Sequence, residues 1–388
     1  MLRCAGLYVS EVDDPGLALS QALAQLSEKI ELLANTVGVV MCNPEFVESG
    51  ALRHVAENLP FDVAGVTTSA LAVNGSGGEV ALSIFVMTSD TIRFKAGIFE
   101  LNEADVEGSL RAAIEETGEG PDAPGLVLAF PPLGACSGDE FTEAWGKVFP
   151  STPVFGGLSS DESADFANVK SICRGAISAL GHSFILCYGD IRPRFVIATL
   201  PEGNILPHAG EITKSKSNIV YEINGVNAYE FLKNIGFAND LAPLGAFWFL
   251  PFLVSQRKRE DYDGVPVVRG MAAFGDDGSA SFRGKMDQGS AFTLMNMTAE
   301  DVLEETAAKL RSALEMPEVN GILIFSCVVR HMVLMHRNPL EEMELAEEIL
   351  GSTPFMMGYV AGECCPTSEK NGAHVNRFHN YSLVALVL

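Results

Sequence analysis

The sequence predicts an α/β fold: mixed β-sheets with flanking helices, internally repeated β-α-β units, and two fused domains. Three observations carry this. A short apolar run recurs after glycine, as GVVMCN at 38–43, GLVLAF at 125–130 and GILIFS at 321–326. Runs rich in Val, Ile, Leu and Phe are what a strand buried on both faces requires. Each run leads through a polar stretch of helical potential to a proline, a second apolar run and a glycine-led bend. These are PFDVAGVTTSA from Pro60, PVFGGLSSDES from Pro153 and PFMMGYVAGE from Pro354. Each copy then closes on another strand, at 80–87, 183–188 and 381–388. Helix, strand, helix, strand is the order of an α/β sheet protein.

Upstream of each first strand lies a helix candidate, at 14–34, 101–116 and 297–315. In the last, Thr298 is a good N-cap with Asp301 three residues on, and Val302, Leu303, Leu310 and Leu314 form one apolar stripe. The stretch 190–290 does not follow the unit. It holds short strand candidates (FVIATL, IVYEIN, VVRGMAAF), turn signals at Asn224-Gly225 and 276–278, and a short helix that Gly236 ends. RKREDYDG at 257–264 reads as a solvated loop. The division is placed between an N-terminal domain, 1–195, and a C-terminal domain, 196–388.

The chain has 388 residues, 47% hydrophobic and 20% charged, so a large core can form and disorder is excluded. The charge sum, 26 − 50 = −24, argues against nucleic acid or an anionic membrane as the main partner. The N-terminus turns acidic before a signal-peptide core can form. The most apolar stretch, Leu241 to Ser255, is broken by Pro243, Gly245 and Pro251 and is too short to span a bilayer. Its Phe247, Trp248, Phe249 and Phe252 are expected in a buried loop or strand pair, with an exposed docking patch as the alternative. Eight scattered cysteines fit no compact disulfide framework, which places the protein in the cytoplasm with reduced thiols.

Motifs along the chain resemble the FIST proteins, which join a FIST-N part to a FIST-C part. They are GVTTSA (65–70) and PVFGGLSSDES (153–163), then SNIVYEINGVNAYEFL (217–232), VVRGMAAF (267–274), MDQGSAFTLM (286–295), FSCVVR (325–330), GYVAGE (358–363) and HNYS (379–382). Val328 and Val329 stand where the family usually has a glycine-rich stretch. The resemblance implies a sensory module that binds a small molecule, for which amino acids have been proposed as ligands; some bacterial members look like haem-binding nitric-oxide sensors. With the last strand read as ending at Leu388 and no output domain expected after it, the resemblance implies signalling through a separate protein or by dimerisation; a homodimer is among the expectations.

Several residues could carry a ligand site. Glycine-led bends after buried strands admit close approach to the backbone, and Thr67, Thr68, Ser159, Ser160 and Asp161 add hydroxyls and a carboxylate there. Turn chemistry and helix capping explain the same residues. Cys327 with Arg330 is the sharpest constellation: Arg330 reads as an anion clamp, as a charge that activates the thiol, or as half of a structural ion pair with Glu363 or Glu369. Glu363 could meet the ammonium of an amino-acid-like ligand, and His379 and Asn380 are hydrogen-bonding residues at the start of the last strand. No catalytic residue is assigned; Cys327 is the one candidate nucleophile, for a thiol-dependent enzyme. GxSxG, HExxH, HRD and phosphate-binding loops are absent.

No resident metal is assigned. Cys364, Cys365, His374 and His379 offer soft donors, but adjacent cysteines point in opposite directions on an extended chain. Haem as a cofactor would draw an axial ligand from His331, His336 or His208. Covalent attachment is excluded, because no CxxCH occurs.

Overall fold

The computed structural model describes all residues except 103–104, 119–121, 135–136, 164, 239–249, 258–262 and 371–372. It is a mixed α/β structure in which the described residues form four β-sheets, one of them a barrel. The aromatic stretch 247–249 lies outside the described residues, while Phe252 is buried in the barrel core.

Three sheets are copies of one unit, and the repeated runs form their centres. Asn35–Cys42 pairs in parallel with Asp62–Thr67, Leu126–Phe130 with Val154–Gly157, and Ile322–Cys327 with Phe355–Val360. The closing strands Leu82–Ser89, Gly181–Tyr188 and Leu383–Val387 lie antiparallel on the other side of each central run. An edge strand completes each group: Leu2–Val9, Arg93–Glu100 and Arg194–Ala198. The predicted division at 195/196 falls inside the last of these.

The parallel pairs approach closely at a repeated glycine. A Cβ on Gly65 would run into the Val40 carbonyl, and one on Gly156 into the Ala129 carbonyl. At the third equivalent, Gly358, the obstacle is the flexible Met41 side chain.

Each copy also lends a hairpin to a different copy. Leu71–Val73 and Ser76–Gly78 extend the third sheet beside Phe355–Val360. Ser171–Cys173 and Ala176–Ser178 extend the first beside Asp62–Thr67. Glu363–Lys370 and Ala373–His379 extend the second beside Val154–Gly157. The exchange is cyclic, and each of these three sheets reaches six strands by it. Inner faces of all three sheets share one apolar core, including Met41, Phe85, Leu128, Phe155, Phe325 and Met356.

Helices cover the outer faces. Pro15–Lys29, Val106–Glu116 and Ala299–Leu314 precede the central strands, and the last begins with the expected reciprocal cap between Thr298 and Asp301. The barrel is an insertion into the third unit, between Ala198 and Ala299. Its seven strands run from Ile205–Lys216 to Ala291–Met295, and pairing of Ile205–Lys216 with Ile219–Ile223 closes it around its own core. The predicted helix after Asn224 spans Ala228–Asn234, and Gly236 follows it at φ +86°.

Candidate functional site

The three bends meet and hydrogen-bond one another. Thr68 Oγ1 and Ser160 Oγ both donate to the Tyr359 carbonyl, at 2.7 Å each. Backbone bonds from Ser160 to Thr67, Leu158 to Gly362, Ala361 to Leu158 and Tyr359 to Ala70 complete the ring. Thr67 Oγ1 accepts from the Lys170 N–H and Ser159 Oγ from the Leu133 N–H. The Asp161 carboxylate accepts from Ser163 and Asn168. All five side chains are buried. The bends therefore converge as a knot of satisfied groups that joins the copies.

Beside this knot lies a cavity of about 20 Å³, lined from the N-terminal part by Leu133 and Phe166 and from the barrel by Gly270, Met271 and Arg283. Cys327, Val328, Val329, Ala361, Asn380 and Tyr381 form the third wall. That volume suits a water molecule or two. Asn380 is buried; its Nδ2 donates to the His379 carbonyl at 3.0 Å, and its Oδ1 has no partner among the described residues. Burial lowers the pKa of the Arg283 guanidinium.

Cys327 and Arg330 have different surroundings. Arg330, fully buried, pairs with Glu342 at 2.7 Å and donates to Thr306 and to the Val302 carbonyl. Glu342 also accepts from Ser326 and Thr306. The ion pair of Arg330 is thus with Glu342 rather than with Glu363, and the guanidinium is absorbed by the fold.

Glu363 is also fully buried. Its Oε2 accepts from Ser382 Oγ at 2.6 Å, and the Cys327 thiol leans on the same carboxyl. Oε1 has no hydrogen bond of proper geometry among the described residues. Burial raises the carboxyl to about 8, against the smaller opposing pull of Ser382, Cys327 and Arg330. Cys327 is pushed well above the ordinary thiol value by burial and then by the nearby Glu363 charge. A thiol so placed is held protonated, and the nucleophile is the thiolate.

The histidines occupy separate places. His379 Nε2 donates to the Cys365 carbonyl at 3.0 Å, and burial lowers the ring to about 4. His331 stacks on Tyr359 with ring centres 4.3 Å apart and shares a 3.3 Å hydrogen bond with Ser69; burial lowers it to about 4 as well. Its Nε2 is buried without a partner among the described residues. His208 meets the edge of Phe237, and His336 is exposed. None of the three proposed axial ligands borders the cavity, so the residues present do not form a haem slot there. Cys364 lies in the helix-side core of the second sheet, beside Thr142, and Cys365 in the shared inner core. Among the described residues, no three His, Cys, Asp or Glu side chains gather as a metal site.

Sequence reasoning missed Arg283, Glu342 and a buried ion pair, Arg269 with Asp139, at 2.8 Å. Arg269 and Asp139 are 130 residues apart, and no local pattern links them.

Among the described residues, no helix is long and apolar enough to cross a membrane. No curated protein matches the chain. The FIST N domain matches residues 36–226 and the FIST C domain residues 228–366. These matches cover most of the chain, in the order of the repeats and barrel described above: the protein belongs to the FIST family, whose domains are sensory and associated with signal transduction.

Proposed function

We propose that the protein is a cytoplasmic sensor that takes a small ligand, anionic or amino-acid-like, into the cavity between its N- and C-terminal parts and signals through a separate partner protein. The observation that carries this is Asn380, buried at the wall of a cavity that both parts line, with an Oδ1 that has no partner among the described residues. A buried acceptor left unpaired costs about 1–3 kcal/mol, which a ligand donor would recover. Arg283, in the barrel wall of the same cavity, suits an anionic group. The high thiol pKa of Cys327 favours binding over covalent chemistry. Seven described cysteines, all free and buried, agree with a reducing compartment.

Thermal-shift screening of small metabolites tests the reading. A true ligand at a hundred times its Kd adds about 2.7 kcal/mol of stability. Ala361→Val, which takes up the space of a water molecule or so, should reduce that gain. Stabilisation by no metabolite, or stabilisation that Ala361→Val leaves intact, would refute the site.

A further inference from the structure

The cavity wall supplied by the barrel is attached differently on its two sides. Both chain connections to the barrel lie on one side, next to helix Ala299–Leu314. They run together there: the Asn296 N–H donates to the Asn204 carbonyl at 2.9 Å, and Asn204 Nδ2 donates to Asp301 at 2.6 Å. The packing on this side is apolar, with Val268, Met295 and Met297 against Val302, Val329 and Leu334.

The opposite side is polar. Arg269 Nη2 reaches Asp139 at 2.8 Å with both side chains almost fully buried, and Arg269 Nη1 donates to the Phe378 carbonyl at 2.9 Å. The Lys285 N–H donates to the second Asp139 oxygen at 2.7 Å, and Lys285 Nζ to Glu143 at 2.6 Å. Asp263 accepts from Thr367 and Ser368. Asp139 and Glu143 lie on helix Gly138–Val148, while Phe378, Thr367 and Ser368 lie on the hairpin added to the second sheet. Gly284, at φ +134°, is wedged where a Cβ would meet Arg269 Nε at 2.6 Å and Asp139 Oδ2 at 2.9 Å. Each principal latch residue is a chain neighbour of a cavity residue: Arg269 of Gly270, and Lys285 follows Arg283 by two.

We propose that the barrel is a hinged jaw, latched to the second repeat through Arg269–Asp139 and Lys285–Glu143, whose closure sets Arg283 against the Cys327–Asn380 wall and whose opening admits the ligand. The ligand clause rests on the function proposed above; the motion does not. A cavity of about 20 Å³ holds no metabolite, so a larger ligand requires a wall to move. The barrel is the wall with its own core, and both its chain connections lie on one side. Polar ties can exchange partners with water, whereas the apolar hinge side gains nothing by opening.

Cys327 reports the motion, because it lines the closed cavity. Alkylation by iodoacetamide, read cysteine by cysteine by mass spectrometry, should be slow in the native protein. Lys285→Gln, at a partly exposed position that folding tolerates, should speed Cys327 alkylation about fivefold, the factor that 1 kcal/mol represents. Cys42 and Cys187, in the cores of the first and second sheets, should keep their rates. The charge-exchanged pair E143K with K285E should restore slow labelling. Unchanged Cys327 labelling in Lys285→Gln, or equal acceleration at all three cysteines, overturns the jaw. Unchanged labelling together with a ligand that stabilises the protein sinks the jaw and leaves the site. Latch-dependent labelling with no stabilising ligand upholds the moving barrel and removes the ligand reading.

Discussion

Arg330 and Glu363 are both fully buried charged residues of the third repeat, yet they are provided for in opposite ways. Arg330 has a carboxylate, a hydroxyl and a carbonyl within hydrogen-bonding distance, and its partner Glu342 is itself satisfied. Glu363 has one oxygen bonded to Ser382 and the other without a well-formed hydrogen bond among the described residues, and it holds its proton far above the usual carboxyl range. Complete satisfaction marks a group whose work is to hold the fold. Incomplete satisfaction beside Cys327, which lines the cavity, leaves a group able to respond to something else. The difference moves the centre of the candidate site from Arg330 to Glu363, Asn380 and Arg283.

The sharpest way to break this comparison is to delete the satisfied cation. Arg330→Met strands Glu342 without its counter-charge and should cost about 3–5 kcal/mol in urea unfolding. The double variant with Glu342→Leu should recover much of that loss, since an apolar pair of similar volume replaces a buried ion pair at little cost. A loss under ~1 kcal/mol for Arg330→Met would mean the pair is not structural.

Glu363→Gln should act in the other direction and depend on pH. The folded carboxyl keeps its proton up to about 8, whereas the unfolded one releases it near the ordinary 4.5. The unfolded state therefore binds fewer protons across that window, and native stability falls as pH rises through it. Glutamine mimics the protonated form, so the variant should gain at least ~1 kcal/mol over the native protein at the alkaline end and nothing at the acid end. Parallel stability profiles for the two proteins would show that Glu363 titrates normally.

The smallest stability change is expected at Asn380. Asn380→Leu removes one hydrogen bond to the His379 carbonyl and one unpaired acceptor, so stability should stay within ~1 kcal/mol of native. Ligand-induced stabilisation should nevertheless disappear. Among the repeats, Gly65→Ala and Gly156→Ala should each destabilise more than Gly358→Ala, because a carbonyl cannot move aside as the Met41 side chain can.

Much of the fold was legible because it is written locally. The three apolar runs, the bends after Pro60, Pro153 and Pro354, and the cap at Thr298 each announce themselves within a dozen residues. The convergence of the bends followed from repetition. What they do on meeting did not, since hydroxyls suited to a ligand are equally suited to the Tyr359 carbonyl. The exchanged hairpins were missed although Asn74-Gly75 is a hairpin signal, because the flanking strands are only three residues long. Glu342 was hidden among five glutamates of helix Glu341–Leu350, where spacing cannot say which one turns inward. Arg283 and the Arg269–Asp139 pair depend on how the inserted barrel docks, and no periodicity encodes that.

The cyclic loan of hairpins also bears on how the molecule comes into being. The first sheet cannot be finished until residue 178 has been made, and the second must wait for 363–379, long after its own central strands Leu126–Phe130 and Val154–Gly157. Central strands that emerge early have open edges until then, a state that invites pairing with other chains. A nascent chain of this design therefore has reason to remain under chaperone care until its last strands arrive.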